Sequence, residues 1–508
     1  MQVWIRRCAL LLLPLGFLAV MVAAPLLSLA FYDGEGAWVE VVADDYMRLR
    51  LGWTVAQAVL TCVLVTALGV PAAWVLARMD FAGRRTVLRL LMLPFVMPTL
   101  VAGMGVLALF GAHGMLAAGW QDTPWLLIYG NVFFNLPVLV RSAYQGFVRV
   151  PQARLLSAQS LGADAWRRFF WVEWPVVRAW VAGGACLVFL YCFSGFGLAL
   201  LLGGERFATV EVEIYRLVAY ELDMARASVL VWLVLAATAA GGLYAYWSRR
   251  VAVDKSVSPL PPRAPVRAWE KWLTATVLAI LAVCCLLPLA AVWLKAVSAG
   301  SSWAVLLEAQ TWAAVWNTIR FSAAAVAAAT ILGVLYAAAA RQMAWLRALM
   351  FLPFMVSPVC IAFGVLLLYP QWTASLWLLT ATYALLAYPF VAKDVLAAWD
   401  GLPKDYAAAA RTMGANGFQT ACYVTAPLLK PALRRGLTLA SATCIGEFAA
   451  TLFLSRPEWQ TLTTLIYDYL GRAGADNYGR AMVLTALLTA LALTAFLLVD
   501  EAEGQKAV

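Results

Sequence analysis

The sequence predicts an all-α polytopic membrane protein of about 12 transmembrane helices, arranged as two parallel, pseudo-symmetric six-helix halves. Three observations carry that prediction: an apolar composition, long apolar runs that alternate with short basic clusters, and a repeat of fixed offset between the two halves of the chain. Of the 508 residues 64% are hydrophobic and 13% charged, and the mean hydropathy is +0.82. A water-exposed surface of ordinary proportions has no place for so many apolar side chains, so lipid must solvate most of them. The formal charge of +10 does not point to nucleic acid, because the cations fall between apolar runs and not along one face.

Apolar runs long enough to be spans start near Cys8, Val55, Leu90, Leu126, Val181 and Ala227, and again near Trp272, Ile319, Leu349, Leu376, Leu437 and Val483. The first follows Arg6 and Arg7 and extends to Phe31, longer than a signal-peptide core, so a retained first helix is expected. The fourth and tenth runs are the shortest, which calls for tilt, an interfacial position or polar extensions at their ends.

Orientation follows from the short-loop cations. Arg78, Arg84, Arg85, Arg141, Arg149, Arg154, Arg167 and Arg168 fall on the side of Arg6 and Arg7, and Arg249, Arg250, Lys255, Arg263, Arg267 and Lys271 continue the alternation. Arg341, Arg347, Lys393, Lys404, Arg411, Lys430, Arg434 and Arg435 complete it, which puts both termini in the cytoplasm. The opposite loops carry Asp33, Glu35, Glu40, Asp44, Asp45, Glu205, Glu211, Glu213, Glu221 and Asp223. Between the halves, Pro259, Pro261, Pro262 and Pro265 forbid a continuous helix and predict an extended linker. The expected division is therefore 1–250 for the first half, 251–270 for the linker and 271–508 for the second half.

The repeat is in register over a long stretch. Pro137 and Arg141 match Pro389 and Lys393, Gly162-Ala163 matches Gly414-Ala415, and Pro175 matches Pro427, each at an offset of 252 residues. Cys192, Phe196, Thr209 and Ile214-Tyr215 match Cys444, Phe448, Thr461 and Ile466-Tyr467 at the same offset. Upstream the offset drifts, yet Leu93-Pro94-Phe95 and Gly105-Val106-Leu107 still mirror Leu352-Pro353-Phe354 and Gly364-Val365-Leu366. Equivalent helices have the same orientation, so the repeat is parallel, with a pathway expected between the halves.

The loop between the fourth and fifth runs, Arg141 to about Trp180 and Lys393 to about Gly436, is the best-matched part. Each copy holds a small-residue, helix-forming segment, Leu155 to Leu161 or Tyr406 to Met413, closed by Gly162 or Gly414, a residue suited to a left-handed helix terminus. An amphipathic stretch then runs to Pro175 or Pro427, expected to terminate the loop. Such a ridge lets a partner grip the face without ordering long side chains. Two matched copies favour coupling over a merely structural loop.

These residues resemble the EAA loop of ATP-binding-cassette importer permeases. The resemblance implies that Leu156, Ser157, Ala158 and Gly162, with Ala408, Ala409, Ala410 and Gly414, form the coupling helices that dock on an ATPase. Leu156 and Ala408 stand where the family pattern has a glutamate, so docking here is steric and not through that carboxylate. The whole chain resembles the fused two-half permeases of thiamine importers, and next those of ferric-iron importers, through Val132-Phe133-Phe134-Asn135-Leu136-Pro137, Val172-Glu173-Trp174-Pro175 and Leu202-Gly203-Gly204. It implies a bacterial inner-membrane subunit, one fused chain per complex, with a cytoplasmic ATPase dimer that binds the ATP and a periplasmic substrate-binding protein. The chain has no Gly-Lys-Ser/Thr phosphate loop of its own, so no catalytic residue, cofactor or metal is expected in it. A secondary transporter without an ATPase is the alternative from another class, disfavoured by the matched loops and the few acids at membrane depth.

For the pathway, Glu447 is the conspicuous carboxylate at membrane depth, and its counterpart is Gly195. A local hydrogen-bond role or a pairing with an arginine is favoured over contact with a cationic substrate. Pro94, Pro98, Pro353 and Pro358, with Gly103, Gly105 and Gly364, predict kinked third and ninth helices that either line the path or simply pack. Trp53, Trp125, Trp293 and Trp377 read as interface anchors, the nine cysteines as small hydrophobes, and His113 as a loop residue.

Overall fold

A computed structural model describes residues 12–30, 36–91, 93–116, 118–248, 260–350, 353, 356–372 and 375–504. Arg6, Arg7, Cys8, Phe31, Asp33, Glu35, Arg249, Arg250, Lys255, Pro259, Leu352 and Phe354, singled out above, lie outside the described residues. Among the described residues there is no strand, only an isolated bridge between Met79 and Arg263.

Among the described residues each predicted span consists of one or more helices. Eight helices among the described residues are long and apolar enough to cross a membrane: Leu12–Leu29, Asp45–Arg78, Pro124–Val148, Ala165–Phe193, Ala268–Val297, Ala309–Gln342, Leu376–Gly401 and Ala475–Leu497. Thr99–Phe110, Met224–Ala240 and Pro358–Leu368 are shorter apolar helices at the third, sixth and ninth runs. The eleventh run lies in Ala426–Ile445, whose first turns carry Lys430, Arg434 and Arg435. The fourth and tenth runs, predicted to be the shortest, form helices of 25 and 26 residues because they continue past the apolar run at their C-terminal ends, through Arg141-Ser142 and Lys393-Asp394.

The third and ninth spans are broken rather than kinked. Arg84–Leu90, Leu93–Val96 and Thr99–Phe110 are separate helices, with Pro94 inside the second and Pro98 just before the third. A proline lacks the N–H that would continue the ladder and pushes the preceding residue out of the helical region. In the ninth span Pro358 opens a helix of its own, and Ser357 caps it by accepting the Val359 N–H at 3.1 Å.

Pro71, Pro137, Pro389 and Pro431 sit inside α-helix without a π turn, whereas four X-Pro pairs within continuous helix are each preceded by one: Ala19–Ala23 before Pro25, Phe169–Glu173 before Pro175, Ala282–Leu286 before Pro288 and Ala421–Thr425 before Pro427. In each the residue before the proline donates its N–H five residues back, as Trp174 does to the Phe169 carbonyl. The extra residue per turn relieves the clash and re-pairs carbonyls that the proline would leave without a donor. Pro175 and Pro427 therefore do not terminate their loops. Helix has already begun at Ala165 and Gly417, after the caps Asp164 and Asn416.

The chain divides into two compact units whose limits differ from the repeat. One comprises Met1–Asp33, Val96–Pro98 and Ala299–Val508; the other comprises Gly34–Phe95 and Thr99–Ser298. Each unit thus includes the first span of the opposite half of the sequence. In the first, residues 24–30 pack on Pro358–Leu368, and the Tyr369 hydroxyl donates to the Val20 carbonyl at 2.9 Å. In the second, Leu287–Val297 packs on Thr99–Phe110, and the Tyr129 hydroxyl donates to the Val283 carbonyl at 2.8 Å. The glycines of the broken helices make room for these contacts. A Cβ on Gly105 would lie 2.6 Å from the Pro288 carbonyl oxygen, one on Gly364 3.0 Å from Pro25, and one on Gly103 2.7 Å from Leu201.

Within the second unit, residues 260–267 are docked rather than loose. The Asp80 N–H donates to the Arg263 carbonyl at 2.8 Å, and the Arg263 N–H donates to the Arg78 carbonyl at 3.0 Å. Arg263 also pairs with the buried Glu270 at 2.5 Å, and that carboxylate accepts the N–H groups of Val266 and Arg267.

Gly105→Ala is expected to destabilise the solubilised chain by about 1–3 kcal/mol, the range for overpacking against a fixed backbone. Gly52→Ala, where a Cβ meets nothing within 4 Å in mid-helix, should be neutral or stabilising by about 0.5–1 kcal/mol. Thermal midpoints in detergent read both, and an unchanged midpoint for Gly105→Ala would contradict the close approach to Pro288.

Candidate coupling loops

The two loops follow the same backbone plan at a constant offset of 252 residues. Pro151 and Pro403, both with extended backbone, precede nine-residue helices Gln152–Ser160 and Lys404–Thr412. These start a few residues earlier than the predicted segments. Each ends in the same double hydrogen bond. Gly162 has φ +79° and donates to the Gln159 carbonyl, while Ala163 donates to that of Ala158. Gly414 has φ +87° and donates to the Arg411 carbonyl, while Ala415 donates to that of Ala410. This is the Schellman arrangement, and its left-handed residue is strained for any side chain but little strained for glycine.

The helices show a consistent outer face. Leu156, Ser157, Ala408 and Ala409 are exposed, whereas Ala158 is half-buried and Ala410 is buried. The residues that close the helices are the most open apolar groups here: Leu161 is 88% exposed and Met413 82%. Trp166, Trp171, Phe418 and Tyr423 are also exposed just downstream. An apolar, small-residue face of this kind loses little side-chain entropy when covered and gains by leaving water.

The downstream helices are capped differently at equivalent positions. The Asp164 carboxylate accepts the Arg167 N–H at 2.8 Å, and Asn416 forms a reciprocal capping box with Gln419. The following π turns, 169–173 and 421–425, keep the 252-residue offset.

Sequence reasoning missed an ion pair in the first loop. Arg78 Nε lies 2.7 Å from Glu173 Oε1, both side chains being buried, and Trp74 Nε1 donates to Glu173 Oε2 at 2.9 Å. The one available signal was Glu173 itself, one of two acids, with Asp164, in a loop rich in arginine. Also unforeseen were two matching threonines, which accept backbone N–H groups from the helices after the outer loops. Val210 donates to Thr54 Oγ1 at 3.0 Å and Leu462 to Thr318 Oγ1 at 2.9 Å. Glu211 and Glu213, predicted on an outward loop, are buried. Tyr46 donates to Glu213, and Arg50 and Arg216 flank that carboxylate at 3.8 Å.

Of the pathway candidates, Pro98, Pro358 and Glu447 come together in one unit, and Pro94 belongs to the other. Gly446 packs against Pro98, where a Cβ would sit 2.9 Å away, and Pro358–Leu368 packs on Ala449–Leu454. Pro353 is buried in the unit of Glu447. Glu447 Oε1 accepts the Ala450 N–H at 3.0 Å, and its carbonyl accepts the hydroxyls of Thr451 and Thr463. The carboxylate thus meets free N–H groups at a helix start. Gly195 stands at the start of Phe196–Leu202 in the first half. Among the described residues no group of His, Cys, Asp or Glu is arranged to hold a metal ion. Trp125, Trp293 and Trp377 are exposed, whereas Trp53 donates to the Phe207 carbonyl at 2.8 Å.

The comparisons with known proteins agree with this repeated architecture. The family model described as "Binding-protein-dependent transport system inner membrane component" matches residues 66–256 and again 329–500. The thiamine transport system permease protein ThiP of Salmonella typhimurium is 27% identical over 95% of this chain and 94% of its own. Its Brucella abortus namesake is 28% identical over 97% and 95%. The sulfate transport system permease protein CysW of Synechocystis is 29% identical, over 39% of this chain and 75% of its own. With two copies of the family domain covering most of its length, the chain belongs to the binding-protein-dependent transport system inner membrane components.

Proposed function

We propose that this chain is the translocating subunit of an ATP-driven importer for thiamine, with both termini and both coupling loops in the cytoplasm. The observation that carries the coupling is the duplicated helix ended by a left-handed glycine. Two rigid, exposed ridges of identical construction, Gln152–Ser160 and Lys404–Thr412, fit a partner that is itself a dimer. That partner is an ATPase that binds and hydrolyses the nucleotide, and a binding protein outside selects and delivers the cargo. The orientation is supported by Arg78, Arg84, Arg149, Arg154, Arg167 and Arg168, which belong to the same loops and helix ends as the first ridge. The repeat division, 1–250 and 271–508 with a linker between them, gives each ridge its own six-helix half.

Binding of ATP draws the partner subunits together, their motion passes through the ridges, and the spans alternate between outward and inward access. Thiamine is favoured as cargo because the thiamine permeases align over nearly the whole chain, whereas the sulfate permease aligns over 39% of it. Glu447 has a structural part in this reading, as the acceptor for N–H groups at a helix start, and not as a ligand for the cation.

Ser157→Pro and Ala409→Pro, each in mid-helix, should reduce co-purification of the ATPase by at least about tenfold, since an interior proline costs about 3 kcal/mol, while membrane insertion stays normal. Undiminished co-purification with full transport would sink the coupling assignment. Proteoliposomes carrying the complete complex should take up labelled thiamine in an ATP-dependent way and leave ferric iron outside; the reverse preference would replace the cargo, and uptake without any ATPase would replace the class. Glu447→Gln keeps the acceptor and should preserve uptake within about twofold, whereas Glu447→Ala should lose about 1 kcal/mol of stability. A large rise in the half-saturating thiamine concentration for Glu447→Gln would instead make it a cargo ligand.

A further inference from the structure

One guanidinium holds both stems of the first coupling loop. Arg78 ends the helix Asp45–Arg78. Its Nη2 donates at 3.1 Å to the carbonyl of Phe147, in the last turn of the helix leading into the loop. Its Nε donates at 2.7 Å to Glu173, in the π turn of the helix leading out. Trp74, one turn earlier on the same helix, takes the other carboxylate oxygen at 2.9 Å. The side chains of Arg78 and Glu173 are only 6% and 5% exposed.

The node extends to the linker between the halves. The backbone N–H of Arg263 donates to the Arg78 carbonyl at 3.0 Å, and Trp269 stacks on Trp74 with ring centres 6.2 Å apart. A buried ion pair adds little net stability over an apolar pair of the same volume. Its directional bonds do fix the geometry of what they join.

The second loop is held differently. Thr425 stands at the position of Glu173, and its hydroxyl turns back to the Thr420 carbonyl within its own helix. Arg347 pairs with Asp400 at 2.8 Å on the upstream stem, and that pair is substantially exposed.

We propose that Arg78 and Glu173 are positioning residues that lock the first coupling loop to the helix Asp45–Arg78, so that load on Gln152–Ser160 passes directly into that span. Among the described residues the second loop has no such link from Ala309–Gln342 to its outgoing stem, and the two loops transmit unequally. The functional consequence rests on the coupling reading given above; the lock itself does not.

Limited trypsin digestion of the full chain in nanodiscs, followed by mass spectrometry, compares exposed Arg154 and Arg167 in the first loop with exposed Arg411 in the second. Glu173→Gln and Arg78→Gln should each speed cleavage at Arg154 and Arg167 about tenfold and leave Arg411 unchanged. The double variant should be no worse than either single one. Equal acceleration at all three sites, or none, would overturn the lock. Should the single variants fold poorly, Arg78→Met combined with Glu173→Leu preserves volume without the directional bonds. It is expected to keep the wild-type thermal midpoint while still exposing Arg154, and wild-type cleavage there would overturn the proposal. In the complete complex Glu173→Gln should retain the ATPase but lower uptake per ATP hydrolysed about tenfold, with Thr425→Val unchanged; an unaltered ratio for Glu173→Gln would count against unequal transmission. A wild-type chain that binds no ATPase would refute the coupling reading alone, since the digestion still decides the lock.

Discussion

Backbone hydrogen bonds have to be closed within the chain wherever lipid is the solvent, because hydrocarbon offers no alternative partner. In a sequence with 22 prolines that constraint shapes most of the architecture. At four of the prolines that fall within a continuous span, Pro25, Pro175, Pro288 and Pro427, a π turn re-pairs the carbonyls before it. Where it interrupts a span, side chains take over: Ser357 caps the helix that Pro358 opens. The threonines Thr54 and Thr318 meet donors of helices that start at depth. Glu447 belongs to the same group, a carboxylate serving the N–H groups of a short helix.

The same accounting explains the two duplicated loops. Each ridge has to stop sharply before the chain returns to the membrane, and a left-handed glycine closes the last carbonyls without a bulky side chain. The stop is preserved in both copies down to the individual hydrogen bonds, although the flanking residues differ. Polar anchoring varies between the copies: Glu173 is replaced by Thr425 and Asp164 by Asn416. Duplication has kept the shape of the ridge and let its fastening diverge.

Much of this was legible from sequence because it depends on local pattern. Span positions follow from apolar runs, and the 252-residue offset located both ridges and their stopping glycines. Pairings between distant residues were not legible. Nothing in the pattern of residues 12–29 or 268–297 says that each packs in the compact unit built mainly from the other half, since hydropathy gives the length of a span and not its neighbour. Arg78 and Glu173 are separated by two spans, so their contact is invisible until the helices are placed. Pro175 and Pro427 were misread as loop ends because a helix that absorbs proline through a π turn has no distinctive sequence signal.

The central claim is that two apolar ridges face the cytoplasm and are covered by a partner there. Single cysteines at Leu161 and Met413, in a chain freed of its native cysteines, test it most directly with a membrane-impermeant maleimide. Both positions should label in inside-out vesicles, resist labelling in intact spheroplasts, and become protected when the purified ATPase is added. Labelling from the outer face, or equal labelling with and without the ATPase, would contradict the account.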